Sequence, residues 1–101
     1  MKVLLFTAAS AEEVSRIGRT LVEEGLAACV NVLPSVRSVY RWEGKLHDEA
    51  EALGIAKVRD ERAEPAVARI RALHAYQVPE VLLLEVSGGN PDYLSWVAGS
   101  P

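Results

Sequence analysis

The chain has 101 residues, half of them hydrophobic and a quarter charged, with a formal net charge of −3. That suits one domain around one core, so residues 1–101 are read as a single domain. The acidic balance and the lack of any basic run argue against nucleic acid as a partner, no stretch nears the roughly 18–20 apolar residues of a membrane span, and a single cysteine excludes an internal disulfide and fits a reducing cytoplasm.

Lys2 to Thr7 is an apolar run of strand length. Although it follows Met1 and looks superficially like a leader, it is short and gives way to Ser10-Ala11-Glu12-Glu13, which opens a helix. Ser10 and Glu13 have capping-box spacing. Ala11, Val14, Ile17, Gly18, Leu21 and Val22 then fall on one helical face, and Gly25 stands where a helix C′ residue belongs.

Leu26 to Val58 reads as a long hairpin around the turn Trp42-Glu43-Gly44-Lys45, where Gly44 takes positive φ without steric cost. Val36, Ser38, Tyr40 and Trp42 point one way; Arg37, Val39 and Arg41 point the other. Pro34 has no backbone donor, which places it at an edge or bulge. The second arm sets Ala50, Ala52, Gly54, Ala56 and Val58 on one face, small enough for other backbone or a helix to come close. Leu53, Ile55 and Lys57 take the other face. Each arm is about twice the usual strand length of roughly 5–6 residues, so the far end must project beyond a domain of this size. Tyr40 and Trp42 near its tip call for a cover, and a second copy of the chain is the simplest one.

A second helix runs from about Glu61 to His74, regular from near Glu64 because Pro65 is tolerated only in a first turn. Its stripe is Ala66, Val67, Ile70, Leu73 and His74. After Pro79 the continuous apolar run Val81 to Val86 reads as a central strand. Gly88-Gly89 turns the chain, Asn90 and Pro91 cap a short helix through Val97, and the tail from Ala98 to Pro101 is expected to be loose. The order β-α-β-β-α-β plus a C-terminal helix is the α+β, ferredoxin-like split βαβ pattern. Both main helices then cover one sheet face, and partner subunits are expected to cover the other.

Four segments carry a resemblance to a known family: Leu26-Ala27-Ala28-Cys29-Val30-Asn31, Ser38 to Lys45 (Ser-Val-Tyr-Arg-Trp-Glu-Gly-Lys), Leu73-His74-Ala75-Tyr76-Gln77-Val78-Pro79-Glu80, and Gly89-Asn90-Pro91-Asp92-Tyr93-Leu94-Ser95-Trp96. In this order and over nearly the whole chain they resemble the CutA family of divalent-cation tolerance proteins. The resemblance implies a ferredoxin-like homotrimer, related in architecture to the PII signalling proteins. It also implies binding of copper or other divalent metal ions, a role in tolerance to them, no organic cofactor and no catalysis. The chain departs from the family at Ala75, where His-Pro-Tyr is usual. It also lacks the additional cysteines of some bacterial members, which excludes a multi-cysteine copper site within one chain.

The candidate metal ligands are His74, Cys29, His47 and Glu51. A thiolate at Cys29 suits Cu(I), and imidazole with carboxylate suits Cu(II) or zinc. Each has a plainer reading. Cys29 is also a small hydrophobe on a strand, expected beneath the first helix; His74 also sits near helix C-terminal carbonyls; and the run His47-Asp48-Glu49 with Glu51 is also a solvated face. No Cys-x-x-Cys or paired-histidine spacing accompanies them. Tyr40, Trp42, Lys57, Tyr76, Glu80 and Trp96 are expected to line a cleft between subunits, with Lys57, Glu51 and Glu80 as a paired charged set. The rival readings are a PII-like sensor with an anionic ligand in that cleft and a purely structural trimer. No nucleophile with a paired base and no dinucleotide or P-loop glycine pattern supports an enzyme.

Overall fold

The computed structural model describes all 101 residues. The elements are β1 (Lys2–Ala8), α1 (Ala11–Glu23), β2 (Cys29–Trp42), β3 (Lys45–Val58), a 3-10 turn at Asp60–Arg62, α2 (Ala63–Leu73), β4 (Val81–Glu85) and α3 (Pro91–Ala98). The four strands make one antiparallel sheet in the order β2-β3-β1-β4, the ferredoxin-like arrangement. Leu4, Phe6 and Ala8 from β1 and Ala52, Ala56 and Val58 from β3 are fully buried with Val14, Ile17 and Leu21 of α1 and Ala66 and Ile70 of α2. Period-2 strand faces and period-3.6 helix faces thus meet in one layer of core on one side of the sheet.

α1 begins as its sequence dictates: the Ser10 hydroxyl accepts from the Glu13 N–H at 3.1 Å. The reciprocal half of the capping box is missing, because the Glu13 carboxylate reaches instead to the loop after α2, accepting from the Ala75 N–H at 3.2 Å. The helix ends at Gly25, with φ +72°. Val22 departs from the expected buried stripe; it is 44% exposed, beside Trp96 and the C-terminal residues.

The hairpin is as long as its sequence requires, with 14 residues in each arm. Only Ala52 to Val58 of β3 pairs with β1, so the outer half of the hairpin is a free two-stranded ribbon. Pro34 sits both at the sheet edge and in a register break between Leu33 and Val36. Glu43 and Gly44 have φ +50° and +77°, a two-residue turn with both central residues left-handed, which matches the strand twist at the cost of placing a glutamate in that region. The projection gives extents of 44 × 25 × 22 Å and a radius of gyration of 14.0 Å, against about 12.7 Å for a compact chain of this length.

Two further expectations are corrected. β4 is an edge strand, not a central one: its run is apolar on both sides because Val81 and Leu83 pack on the core while Leu82 and Leu84 stand 51% and 48% exposed on the opposite face. The tail is held rather than loose, with the Ser100 carbonyl accepting from Arg59 at 3.0 Å and the Ser100 hydroxyl donating to the Val97 carbonyl at 2.8 Å. The small face of β3 packs into the core beneath α1 as expected, and at Gly54 the close approach is made by a side chain. Gly54 pairs directly with Phe6, and a Cβ at this position would overlap the Phe6 ring. Gly54→Ala should therefore lower stability in denaturant unfolding by about 1–3 kcal/mol, and adding Phe6→Leu should recover part of the loss through a coupling above about 0.5 kcal/mol. Wild-type stability in the single variant would contradict this packing.

Candidate functional site

On the side of the sheet away from the helices, a cleft of about 450 Å³ opens between the base of the projecting ribbon and the loop that leads from α2 to β4. Strand alternation places its walls. Ala52 and Ala8 face the helices, so Glu49, Glu51 and Thr7 face the cleft. Tyr40 and Trp42 come from the opposite arm, and Tyr76, Gln77, Val78 and Glu80 from the loop.

His74 fixes that loop. Its ring is fully buried, with Nε2 donating to the Thr7 carbonyl at 2.6 Å and Nδ1 accepting from the Tyr76 N–H at 2.9 Å. Those two bonds define a neutral ring with its proton on Nε2. Glu13 Oε2, 3.7 Å from Nδ1, makes no ion pair with this tautomer and holds the Ala75 N–H instead. The loop is thus tied to β1 and α1 without a proline at Ala75. Both lone-pair and proton positions of the His74 ring are occupied by backbone.

The phenols then organise the carboxylates. Tyr40 donates to Glu49, and Tyr76 donates to Glu51 at 3.0 Å. Burial, followed by the hydrogen bond to and the charge of Glu51, pushes the Tyr76 hydroxyl up to about 12. The bond to Glu49 and then burial raise Tyr40 as well. Both tyrosines stay protonated as donors in a cleft that carries three carboxylates and no Lys, Arg or His. Such a cleft attracts cations and repels anions.

Cys29, Asn31 and Lys57 lie elsewhere. Val30 packs against Gly18 of α1, so the neighbouring Cys29 faces the open side of the sheet, not the underside of the helix. Lys57 is bonded to Asn31 and stands 3.8 Å from Cys29 Sγ; it makes no ion pair with Glu51 or Glu80 in the chain. The Tyr93 hydroxyl is raised by burial and then by Cys29, which puts the start of α3 against this cluster. Trp96 lies further along α3 in a shallow groove with Val22 and the C-terminal residues. His47 stacks on Tyr40 with ring centroids 5.0 Å apart, on the ribbon and outside the cleft lining. No three His, Cys, Asp or Glu side chains of one chain gather closely enough to hold a metal ion.

The cleft therefore unites Tyr40, Trp42, Tyr76, Glu80 and Glu51 and leaves Lys57, Trp96, Cys29 and His47 outside. Sequence reasoning missed Thr7 and Glu49 as members. Their signal was available in the alternation of β1 and β3, once the pairing of Thr7 with Leu53 was known.

Raised above its ordinary 10.0, the Tyr76 hydroxyl links folding to alkaline pH. An unfolded tyrosine loses its proton first, so the contribution of Tyr76 is complete below pH 10 and is lost as pH climbs toward about 12. Tyr76→Phe should show a shallower loss of stability across that interval in denaturant melts; an unchanged slope would contradict the cleft electrostatics.

The chain matches the model of the CutA1 divalent ion tolerance protein family over residues 2–100. It is 41% identical over 98 residues to the chloroplastic protein CutA of Arabidopsis thaliana, covering 97% of this chain and 54% of that protein; it spans about half the length of its plant relatives. Its structure is similar to that of the divalent cation tolerance protein CutA1 of Thermus thermophilus, with 41% identity, a TM-score of 0.91 and coverage of 96% and 95% of the two chains. It is similar also to the protein described as the periplasmic divalent cation tolerance protein CutA of Archaeoglobus fulgidus, with 33% identity, a TM-score of 0.94 and coverage of 99% and 98%.

Proposed function

The chain belongs to the CutA1 divalent ion tolerance family, and from that membership we propose that it is a non-catalytic homotrimer that binds divalent cations, copper(II) among them, in the cytoplasm. The observation that carries the assembly is the distribution of aromatic and aliphatic surface. Of six aromatic residues only Phe6 is buried; Tyr40, Trp42, Tyr76, Tyr93 and Trp96 are all more than a third exposed. With Leu33, Leu82 and Leu84, the residues Tyr40, Trp42 and Tyr76 make an apolar surface on the helix-free side and along the ribbon that a soluble monomer seldom leaves open, and Tyr93 and Trp96 add exposed rings on α3. A second and third copy would cover it. The lone thiol supports a reducing compartment.

Absence of catalysis is supported by the separation of the reactive side chains. Cys29 lies opposite Lys57 and Val3, while His74 reaches Thr7, roughly 13 Å further along β1, and both His74 nitrogens are engaged. No thiol–imidazole pair can form within one chain without rearrangement.

For the metal, the geometry favours His47 over His74. A neutral imidazole must offer a lone pair, and that of His74 is spent on the Tyr76 N–H. His47 makes no hydrogen bond within the chain and shares its strand face with Glu49 and Glu51. Imidazole with carboxylate oxygens suits Cu(II), the tightest binder of the divalent series. With no three-ligand group in one chain, affinity is weak unless a neighbouring subunit adds a ligand. The acidic cleft gives no support to an anionic ligand.

Calorimetric titration of Cu(II) into the assembled protein tests this reading. Binding should be lost in His47→Ala, retained in Cys29→Ser and His74→Ala, and fade in acid because the ligand must be neutral. Loss only in Cys29→Ser would overturn the assignment, and indifference of all three variants would mean that copper meets the protein nonspecifically.

A further inference from the structure

Both nitrogens of the buried His74 ring are held by backbone, yet a second partner stands beside one of them. Nε2 donates to the Thr7 carbonyl at 2.6 Å, and Nδ1 accepts from the Tyr76 N–H at 2.9 Å. Glu13 Oε2 lies 3.7 Å from the same Nδ1, on a side chain only 13% exposed. The Glu13 carboxylate accepts one bond, from the Ala75 N–H at 3.2 Å, which leaves further acceptor positions open. Nδ1 therefore has two alternative partners in reach, a donor on the loop and an acceptor on α1. The proton count of the ring decides between them. A bare Nδ1 accepts from Tyr76; a protonated Nδ1 opposes the Tyr76 N–H and can donate to Glu13.

The surroundings fit this exchange. α1 presents Glu13, β1 presents the Thr7 carbonyl, and α2 contributes the Ile70 carbonyl, which accepts from the His74 N–H at 2.9 Å. The loop presents the Tyr76 N–H and the Tyr76 ring, tilted by 46° with its centroid 4.7 Å away. β3 presents Glu51 behind the Tyr76 hydroxyl. The formal charges in this set are the carboxylates of Glu13 and Glu51, and neither pairs with a Lys or Arg. A charge on an enclosed ring needs an opposite charge close by, and Glu13 supplies it. One chain alone encloses the ring and provides every partner, so the exchange does not depend on what covers the outer surface.

We propose that His74 is a proton-operated latch on the loop of residues 75–78. Neutral, it holds the Tyr76 N–H. Protonated, it keeps its Nε2 bond to Thr7, turns Nδ1 to Glu13 and leaves the Tyr76 N–H without its partner. The loop then loosens, and with it the bond from the Tyr76 hydroxyl to Glu51, so the corner between ribbon and loop changes with pH. The latch is separate from the copper reading, which rests on His47.

The test is an NMR titration of the uniformly ¹⁵N-labelled assembled protein, with His47→Gln identifying the second imidazole. At neutral pH the His74 proton should sit on Nε2. On acidification the ring should gain a proton at Nδ1 while the protein stays folded. Over the same interval the Tyr76 amide should shift and exchange with solvent roughly tenfold faster. Glu13→Gln keeps an acceptor for the Ala75 N–H but not the charge, and its transition should need about tenfold more acid. Ala75→Pro removes the N–H that competes for Glu13, and the extended His74 backbone, at φ −77° and ψ 142°, suits a following proline. In that variant the transition should come with less acid. A ring that stays neutral until the protein unfolds, a Tyr76 amide that ignores the titration of the ring, or a transition that Glu13→Gln leaves unmoved would overturn the proposal.

Discussion

Two helices laid on one side of a four-stranded sheet can seal only one face, and the rest of this structure depends on that imbalance. The sealed face is economical: 18 of 101 residues are buried, nearly all of them contributed by β1, β3, α1 and α2. The opposite face is not a polar solvent face. Leu82 and Leu84 stand on it beside Val3, Leu5, Leu53 and Ile55, so the sheet is apolar on both sides in a chain that covers one. The accessible surface of 6168 Å² exceeds the roughly 5,600 Å² expected for a compact chain of this mass. The excess belongs to the ribbon and the open face, the same surfaces that assembly would remove from water.

The cleft is a consequence of this layout. β3 outruns β1, so the ribbon leaves the sheet near Thr7 and creates a concave corner. The loop after α2 closes the corner from the other side, and a single buried histidine holds it there with one bond to β1 and one to the loop itself. Glu13 contributes from α1 by abandoning its local capping role for the Ala75 N–H. Three elements far apart in sequence thus position Tyr76 against Glu51, and the electrostatic character of the corner follows. The same contacts occupy both ring nitrogens of His74, whereas the His47 ring has no hydrogen-bond partner in the chain and stacks on Tyr40.

Much of the fold was legible because local chemistry and periodicity agree. Ser10, Gly25, Gly44 and Asn90 mark boundaries where the structure has them, and Pro34 marks both edge and bulge. What failed depended on tertiary partners. The apolar run of β4 reads as central because an edge strand that is apolar on both faces has the same composition as a covered one. Cys29 and Val30 differ by one position, and only the packing of Val30 on Gly18 decides which of them faces α1. Small residues at Gly54 signal a close approach but cannot say that Phe6 makes it. The site was legible in part for the same reason: Tyr40, Trp42, Tyr76, Glu80 and Glu51 stand out as residue types, whereas the inclusion of Thr7 and Glu49 and the exclusion of Lys57 and Trp96 follow from register, which sequence patterning leaves open.

If the uncovered face and the ribbon are the reason for assembly, the protein should not exist as a stable monomer. Light scattering on a sizing column at micromolar concentration tests this most directly. The account predicts a mass about three times the 11.0 kDa of the chain. A single folded species at 11.0 kDa would contradict it.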